Sequence, residues 1–295
     1  MFKNVLVGID GKPNGRDAIA LASRLLDDGG KMALAHVHSA DLRVLQTIGP
    51  ELLAEEVVSS EELLRNERAE AGVDAELITV TAPTPGRGLH EQAEAQGADL
   101  IVVGSCSRGL LGRVMLGDDT RAALNGTPCA VAVAARGYAT ASTPLMRIGV
   151  GYDGSPESIA ALAAAREIAG ESKGSVSALQ IVTIPPVMYT GLMPPLVGES
   201  IDSLIEEARG RMEGMPDVEG RAVYGVPGEE LSAFGDELEL LVVGSRSFGP
   251  VRRRVVGSTC DYLERHARCS LLTLPRVGAA DSSDGRPGST AVVAV

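Results

Sequence analysis

Leu241-Val242-Val243-Gly244-Ser245-Arg246-Ser247, followed beyond Arg252-Arg253-Arg254 by Gly257-Ser258-Thr259, is the stretch from which the architecture can be read. A short apolar run ending in glycine has the signature of a fully buried strand. Glycine and small residues then permit a tight turn and a close approach of backbone to another group. Gly257-Ser258-Thr259 reads as a helix start, where free N–H groups and hydroxyls suit an anion such as phosphate. The plainer alternative is a strand–loop–helix connection that binds nothing.

The chain makes this stretch twice. Leu100-Ile101-Val102-Val103-Gly104-Ser105-Cys106-Ser107 returns as Leu240-Leu241-Val242-Val243-Gly244-Ser245-Arg246-Ser247. Val5-Leu6-Val7-Gly8-Ile9-Asp10-Gly11 returns as Ile148-Gly149-Val150-Gly151-Tyr152-Asp153-Gly154, and Cys129-Ala130-Val131-Ala132-Val133 as Cys269-Ser270-Leu271-Leu272-Thr273. A period of about 140 residues is too long for a solenoid repeat and indicates two domains of one fold. We place them at 1–138 and 145–276. The join runs from Arg136 to Pro144, and a disordered tail follows over 277–295.

Hydrophobic periodicity predicts strands near 3–9, 32–38, 75–81, 100–104 and 129–134 in the first copy. Helices are predicted near 14–27, 50–71, from Pro85 to Gln96, and from Val114 to Leu124. The second copy repeats the order, with strands near 146–152, 176–182, 219–224, 239–244 and 269–274. Its helices fall near 156–169, 198–213, 228–236 and 257–267. Ile184 to Val197, with four prolines, reads as an irregular loop. Alternating strands and helices call for parallel sheets with right-handed crossovers, an α/β fold.

With 44% hydrophobic and 22% charged residues the 295-residue chain is of ordinary globular composition, although aromatics make up only 3%. A net charge of −12 argues against nucleic acid or an anionic membrane as partner. Arg252-Arg253-Arg254 is read as a solvated face. No apolar segment approaches membrane-span length, and Met1-Phe2-Lys3-Asn4-Val5 runs straight into a strand without a leader pattern. Cys106, Cys129, Cys260 and Cys269 show neither C-x-x-C nor metal-ligand spacing and read as buried hydrophobes in a reducing compartment. A cytoplasmic location is expected.

Gly149-Val150-Gly151-Tyr152-Asp153-Gly154 satisfies G-x-G-x-x-G, but a dinucleotide site is not supported. The first copy has Leu6 in place of Gly149, Asp153 would face a pyrophosphate, and no acidic residue closes the second strand. A Walker A loop, a G-x-S-x-G elbow and an H-E-x-x-H helix are all absent. His36 and His38 alternate along a strand as packing or edge residues. No catalytic constellation and no metal site made by protein ligands alone can be defended.

Asp10 and Asp153 each follow an apolar strand and precede glycine. Each either caps the following helix or accepts hydrogen bonds from a ligand. In open parallel sheets ligands bind beyond the strand carboxyl ends, where connections diverge. With order 3-2-1-4-5, strands one and four of each copy flank that point. A carboxylate for base or ribose beside an N–H-rich loop for phosphates makes a nucleotide site.

At these residues the chain resembles the universal stress protein family in its tandem form, over nearly all of 1–276. The family loop G-x2-G-x9-G-[S/T] corresponds to Gly244-x2-Ser247-x9-Gly257-Ser258, and in the first copy to Gly104-x2-Ser107-x9-Gly117-Asp118. Asp153-Gly154-Ser155, Gly225-Val226-Pro227 and His266-Ala267-Arg268-Cys269 match further family elements; the first copy has Asp10-Gly11-Lys12 and Pro83-Thr84-Pro85. The resemblance implies two doubly wound five-stranded parallel sheets of order 3-2-1-4-5, the adenine-nucleotide alpha-hydrolase-like fold. It implies that these pair through their fifth strands as an internal pseudo-dimer.

The resemblance also implies ATP with Mg2+ between strands one and four. Adenine would lie near the aspartate and the end of strand two, at Gly8, Asp10 and Val37 in one copy and Gly151, Asp153 and Val182 in the other. Triphosphate would lie on Gly104, Ser105, Ser107 and Gly117, and on Gly244, Ser245, Arg246, Ser247, Gly257, Ser258 and Thr259. Asp118 at the phosphate step adds like-charge repulsion, so the second copy is expected to bind more tightly. The leading expectation is an adenine-nucleotide-binding stress-response regulator without efficient catalysis, acting through a regulatory protein partner, with a homodimer of the whole chain as a further expected assembly. A slow ATPase or nucleotide-dependent enzyme, and a ligand-free interaction scaffold, are the two alternatives.

Overall fold

The computed structural model describes residues 1–39, 50–106, 110–124, 127, 129–141, 144–183, 196–245 and 258–275. In chain order the first half contains β1 (Phe2–Gly8), α1 (Pro13–Leu25), β2 (Leu26–Ser39), α2 (Pro50–Ala71), β3 (Glu76–Ala82), α3 (Pro85–Gln96), β4 (Leu100–Gly104), α4 (Asp118–Leu124) and β5 (Ala130–Ala134). A short α5 (Tyr138–Ala141) bridges the halves. The second half contains β6 (Arg147–Gly151), α6 (Pro156–Ser172), β7 (Ser175–Val182), α7 (Leu196–Glu213), β8 (Val218–Tyr224), α8 (Pro227–Phe234), β9 (Leu240–Gly244), α9 (Ser258–His266) and β10 (Ser270–Leu274).

All ten strands form one sheet, ordered β3-β2-β1-β4-β5-β10-β9-β6-β7-β8. Each half has the expected 3-2-1-4-5 order, and every pairing is parallel except the central one. There β10 runs antiparallel to β5, with Leu271 opposite Val133 and Leu272 opposite Ala132. The pseudo-dimer is therefore a continuous sheet. Its period-two alternation feeds two main cores, each spanning both halves, beside a small third cluster of Ala178, Ala208, Met212 and Ala222 in the second half. Val5, Val7, Val102, Val150, Val242 and Leu272 share one face with Leu21 and Ile168 of α1 and α6. Leu6, Ile101, Val133, Leu241 and Leu271 share the other with Leu89, Leu231 and Leu263 of α3, α8 and α9. Burying one such leucine contributes roughly 1.5–3 kcal/mol, so a core common to both halves couples their stabilities.

The predicted helix from Val114 to Leu124 is corrected: only Asp118–Leu124 is helical. Val114 and Leu116 instead donate their N–H groups to Ala267 and Glu264 of the second half, at 2.9 and 2.8 Å. Both side chains are buried there, while Met115 between them is 38% exposed. The segment is drawn out of the helical pattern because its partners lie in the other half. The second strand starts at Leu26 rather than near 32, which ends α1 at Leu25.

The join holds a helix that composition did not suggest. Asp17 of α1, 4% exposed, accepts from the N–H groups of Gly137 (2.7 Å) and Ala139 (2.8 Å), supplying the acceptors that the start of α5 lacks. Of the expected loop from Ile184 to Val197, residues 184–195 lie outside the described residues, and Leu196 already belongs to α7. The tail over 277–295 and Arg252-Arg253-Arg254 also lie outside them. The histidine strand β2 is interior to the sheet; His36 Nδ1 lies 2.8 Å from the Ile9 carbonyl, and its ring meets His38 edge-on.

Candidate functional site

The strand order reverses between β6 and β9, whose pairing sets Val150 beside Val242. The carboxyl ends of both strands, Gly151 and Gly244, therefore emerge side by side at the switch point. Two helix starts converge on Gly244. A Cβ on that residue would lie 2.6 Å from the backbone carbonyl of Glu157, in the first turn of α6. On the other side the Cys260 thiol of α9 lies 3.8 Å from the Gly244 carbonyl oxygen, which places Ser258 and Thr259 next to the strand end. Glycine at 244 is thus accounted for by close helix packing, whatever the site binds. The consequence is a meeting of two positive helix ends, of 17 and 9 residues, at one point.

Asp153 is exposed and does not cap α6; Ser155 does, accepting from the Ser158 N–H at 3.2 Å. The Asp153 carboxylate accepts from the Ser155 N–H at 2.9 Å, an Asx turn over Gly154, whose φ is +78°. The Asp153 N–H donates to Ser158 Oγ at 3.3 Å. The sequence alternative that made this aspartate the helix cap is corrected: the cap position belongs to the serine two residues later. Arg246, Ser247 and Gly257 lie outside the described residues.

The first half builds the same frame and fills it differently. Gly104 meets α1 as Gly244 meets α6, since a Cβ there would overlap the Asn14 carbonyl. Asp10 also forms an Asx turn, accepting from the Lys12 N–H at 3.1 Å; its second oxygen receives Asn14 Nδ2 and Lys12 Nζ, each at 3.3 Å. A Cβ on Gly11 would lie 2.6 Å from Leu63 of α2, whereas one on Gly154 would meet nothing within 4 Å. The loop after Gly104 closes on itself. Ser105 Oγ accepts from the Met115 N–H at 2.8 Å, and the Cys106 N–H donates to the Met115 carbonyl at 2.7 Å. Gly117 accepts the first helical bond of α4, whose seven residues begin Asp118-Asp119. Asp118 ion-pairs with Arg121 at 2.9 Å and Arg265 at 3.8 Å; both arginines also pair with Asp261 of α9. Ser107 lies outside the described residues.

Val37 and Val182, set down as counterparts from the sequence, occupy different positions. Gly8 pairs with Ala35 and Gly151 with Leu179, so the residue equivalent to Val37 is Ile181. Val37 and Ile181 pack into the core under α3 and α8, whereas Val182 packs on the opposite face with Ala208 and Met212 of α7. The Val182 carbonyl accepts from the Gly225 N–H at 3.2 Å.

The cysteines are free thiols, with Cys129, Cys260 and Cys269 buried and Cys106 partly exposed. Burial pushes the Cys129 thiol up to about 11, Cys260 up to about 12, and Cys269 up further. These three are neutral packing groups, not nucleophiles. Among the described residues no cluster of three His, Cys, Asp or Glu side chains could hold a metal, and no helix is long and apolar enough to cross a membrane.

Comparison with known proteins identifies the family. The universal stress protein family profile matches residues 1–135 and 144–275. A universal stress protein of Mycolicibacterium smegmatis is 24% identical over 293 residues, spanning 92% of this chain and 96% of its own. The crystal structure of a universal stress protein from Archaeoglobus fulgidus superimposes with a TM-score of 0.63 at 17% identity, over 93% of this chain and 99% of that one, a likeness of fold alone. A universal stress protein solved in complex with cAMP matches 45% of this chain and 98% of its own at 25% identity, with a TM-score of 0.33.

Proposed function

The chain belongs to the universal stress protein family, and we propose that it is an adenine-nucleotide-binding regulatory protein whose second half holds the ligand. The carrying observation is the convergence of α6 and α9 on Gly244, beside the Asp153 turn. Triphosphate takes the N–H groups of the α9 start and the Ser258 and Thr259 hydroxyls, and Asp153 accepts from the ribose or adenine. Magnesium enters with the phosphates, which supply its oxygen ligands together with water. The thiols of Cys129, Cys260 and Cys269, held neutral by burial, fit a reducing cytoplasm.

The first half acts as the scaffold of this pair. Its loop is closed by Ser105 and Met115, and its Asp118 faces two arginines instead of a phosphate. Mass spectrometry of the denatured protein, purified without added nucleotide, tests the reading. One adenine nucleotide per chain, depleted in Asp153→Ala, is expected. Its absence, together with no binding on addition of ATP or cAMP, would make the whole chain a scaffold.

A further inference from the structure

A second cleft lies at the opposite end of the second half's strands. Ile148, Leu240 and Ser270 stand in register at the starts of β6, β9 and β10, so Arg147, Glu239 and Cys269 are neighbours at the amino-terminal edge, with Arg268 one residue beyond. The bridging segment around α5, with Leu111 and Gly112, borders this edge. The half-open cleft between them holds about 590 Å³, within the size range of small-molecule sites. The walls are largely apolar and include the buried Leu238 and Tyr138. Leu111, 78% exposed, folds over Gly137 as a lip.

The charge of this cleft runs against the rest of the molecule. Three guanidinium groups, from Arg136, Arg147 and Arg268, border it against the single carboxylate of Glu239, in a chain whose net charge is −12. That carboxylate is already neutralised. Arg147 donates its Nε–H at 2.8 Å, an Nη2–H at 2.5 Å and its backbone N–H at 2.6 Å to Glu239, leaving the Arg147 Nη1 donors uncommitted among the described residues. Arg268 pairs with Asp236 through Nη1 alone, so its Nε and Nη2 donors remain available. An apolar chamber with forked cationic donors at its rim selects an apolar body bearing one planar or tetrahedral anionic group.

We propose that this cleft binds a small amphipathic organic anion, an aryl or alkyl carboxylate or sulfonate, held by Arg268 and Arg147 with its apolar part against Leu238 and Tyr138. Because the cleft contacts both halves and the segment joining them, its ligand would bridge the junction from the end opposite Gly244. The proposal stands independently of any nucleotide. The probe is 8-anilinonaphthalene-1-sulfonate, titrated by fluorescence into the full chain. Saturable binding of one probe per chain is expected, weakened roughly tenfold in Arg268→Ala by loss of a charge-assisted contact. Thr140→Trp, an exposed position on the cleft wall, is expected to abolish it by filling the chamber while leaving the thermal midpoint unchanged. Displacement by 2-naphthoate but not by 2-naphthylmethylamine would establish the charge preference. Wild-type affinity in either variant, or no saturable binding to the parent protein, overturns the proposal.

Discussion

Asp118 of the first half and Arg265 of the second lie 3.8 Å apart, across the junction where the two fifth strands pair. Asp118 occupies the position that Ser258 holds in the second copy, at the start of α4 as Ser258 is at the start of α9. In one copy that position is a hydroxyl at a helix start. In the other it is a carboxylate facing Arg121 and Arg265, within a group that also includes Asp261. The two halves share a frame, and the proposed division of its uses turns on this position.

Asp118→Ser separates charge repulsion from loop closure as the cause of that division. Asp118 itself is solvent-exposed and Arg121 keeps Asp261 as a partner, so urea unfolding is expected to shift by less than about 1 kcal/mol. The Ser105–Met115 closure persists in the variant, so calorimetry is expected to find no additional nucleotide. Appearance of a second equivalent would show that the carboxylate alone kept the first half empty.

Gly104 and Gly244 are packing glycines before they are ligand glycines. A methyl group at either collides with helix backbone, not with a yielding side chain. Gly104→Ala and Gly244→Ala are each expected to lower stability by roughly 1–3 kcal/mol in urea denaturation, with Gly104→Ala the more costly. Only Gly244→Ala is expected to weaken nucleotide binding as well.

The architecture was legible because the repeat carries it. Val5–Gly11 against Ile148–Gly154, and Leu100–Ser107 against Leu240–Ser247, implied two sheets of one order before any contact was known. What escaped the sequence depends on partners far along the chain. Val114 and Leu116 fit a helical pattern, yet their N–H groups go to Glu264 and Ala267, about 150 residues away. The α5 turn needs a carboxylate from Asp17. Val37 and Val182 both lie at the end of a second strand, yet the offset that grows by one residue between strand one and strand two makes Ile181 the counterpart of Val37 and leaves Val182 on the opposite face. The candidate site was legible in its residue types. That Lys12, Asn14 and Leu63 occupy the first copy could be seen only in the fold.

Asp17→Ala tests how the halves are joined. It leaves the Gly137 and Ala139 N–H groups without their acceptor in a part-buried setting, a loss of about 1–3 kcal/mol in urea denaturation. Asp17→Asn keeps one acceptor oxygen and is expected to fall between the variant and the parent. Equal midpoints for all three proteins would show that α5 does not depend on this carboxylate.

Alkaline pH should expose the buried thiols. Burial raises Cys129 and Cys260 from their ordinary 9.0 to about 11 and about 12, so the folded state holds protons that the unfolded state has lost. Their contribution is complete below the unfolded value and is lost as pH rises through the folded values. Urea midpoints are therefore expected to fall above pH about 9, and less steeply in Cys260→Ala than in the parent. A slope unchanged by that substitution would contradict the assignment.

If the second half alone holds an adenine nucleotide, isothermal titration of ATP with magnesium into the parent protein, Asp153→Ala and Asp10→Ala will separate the two halves. One nucleotide per chain is expected in the parent, with the same stoichiometry and affinity in Asp10→Ala, and binding weakened at least roughly tenfold in Asp153→Ala, the scale of a lost hydrogen bond to a charged group. Two nucleotides per chain in the parent, or binding abolished by Asp10→Ala and untouched by Asp153→Ala, would contradict it.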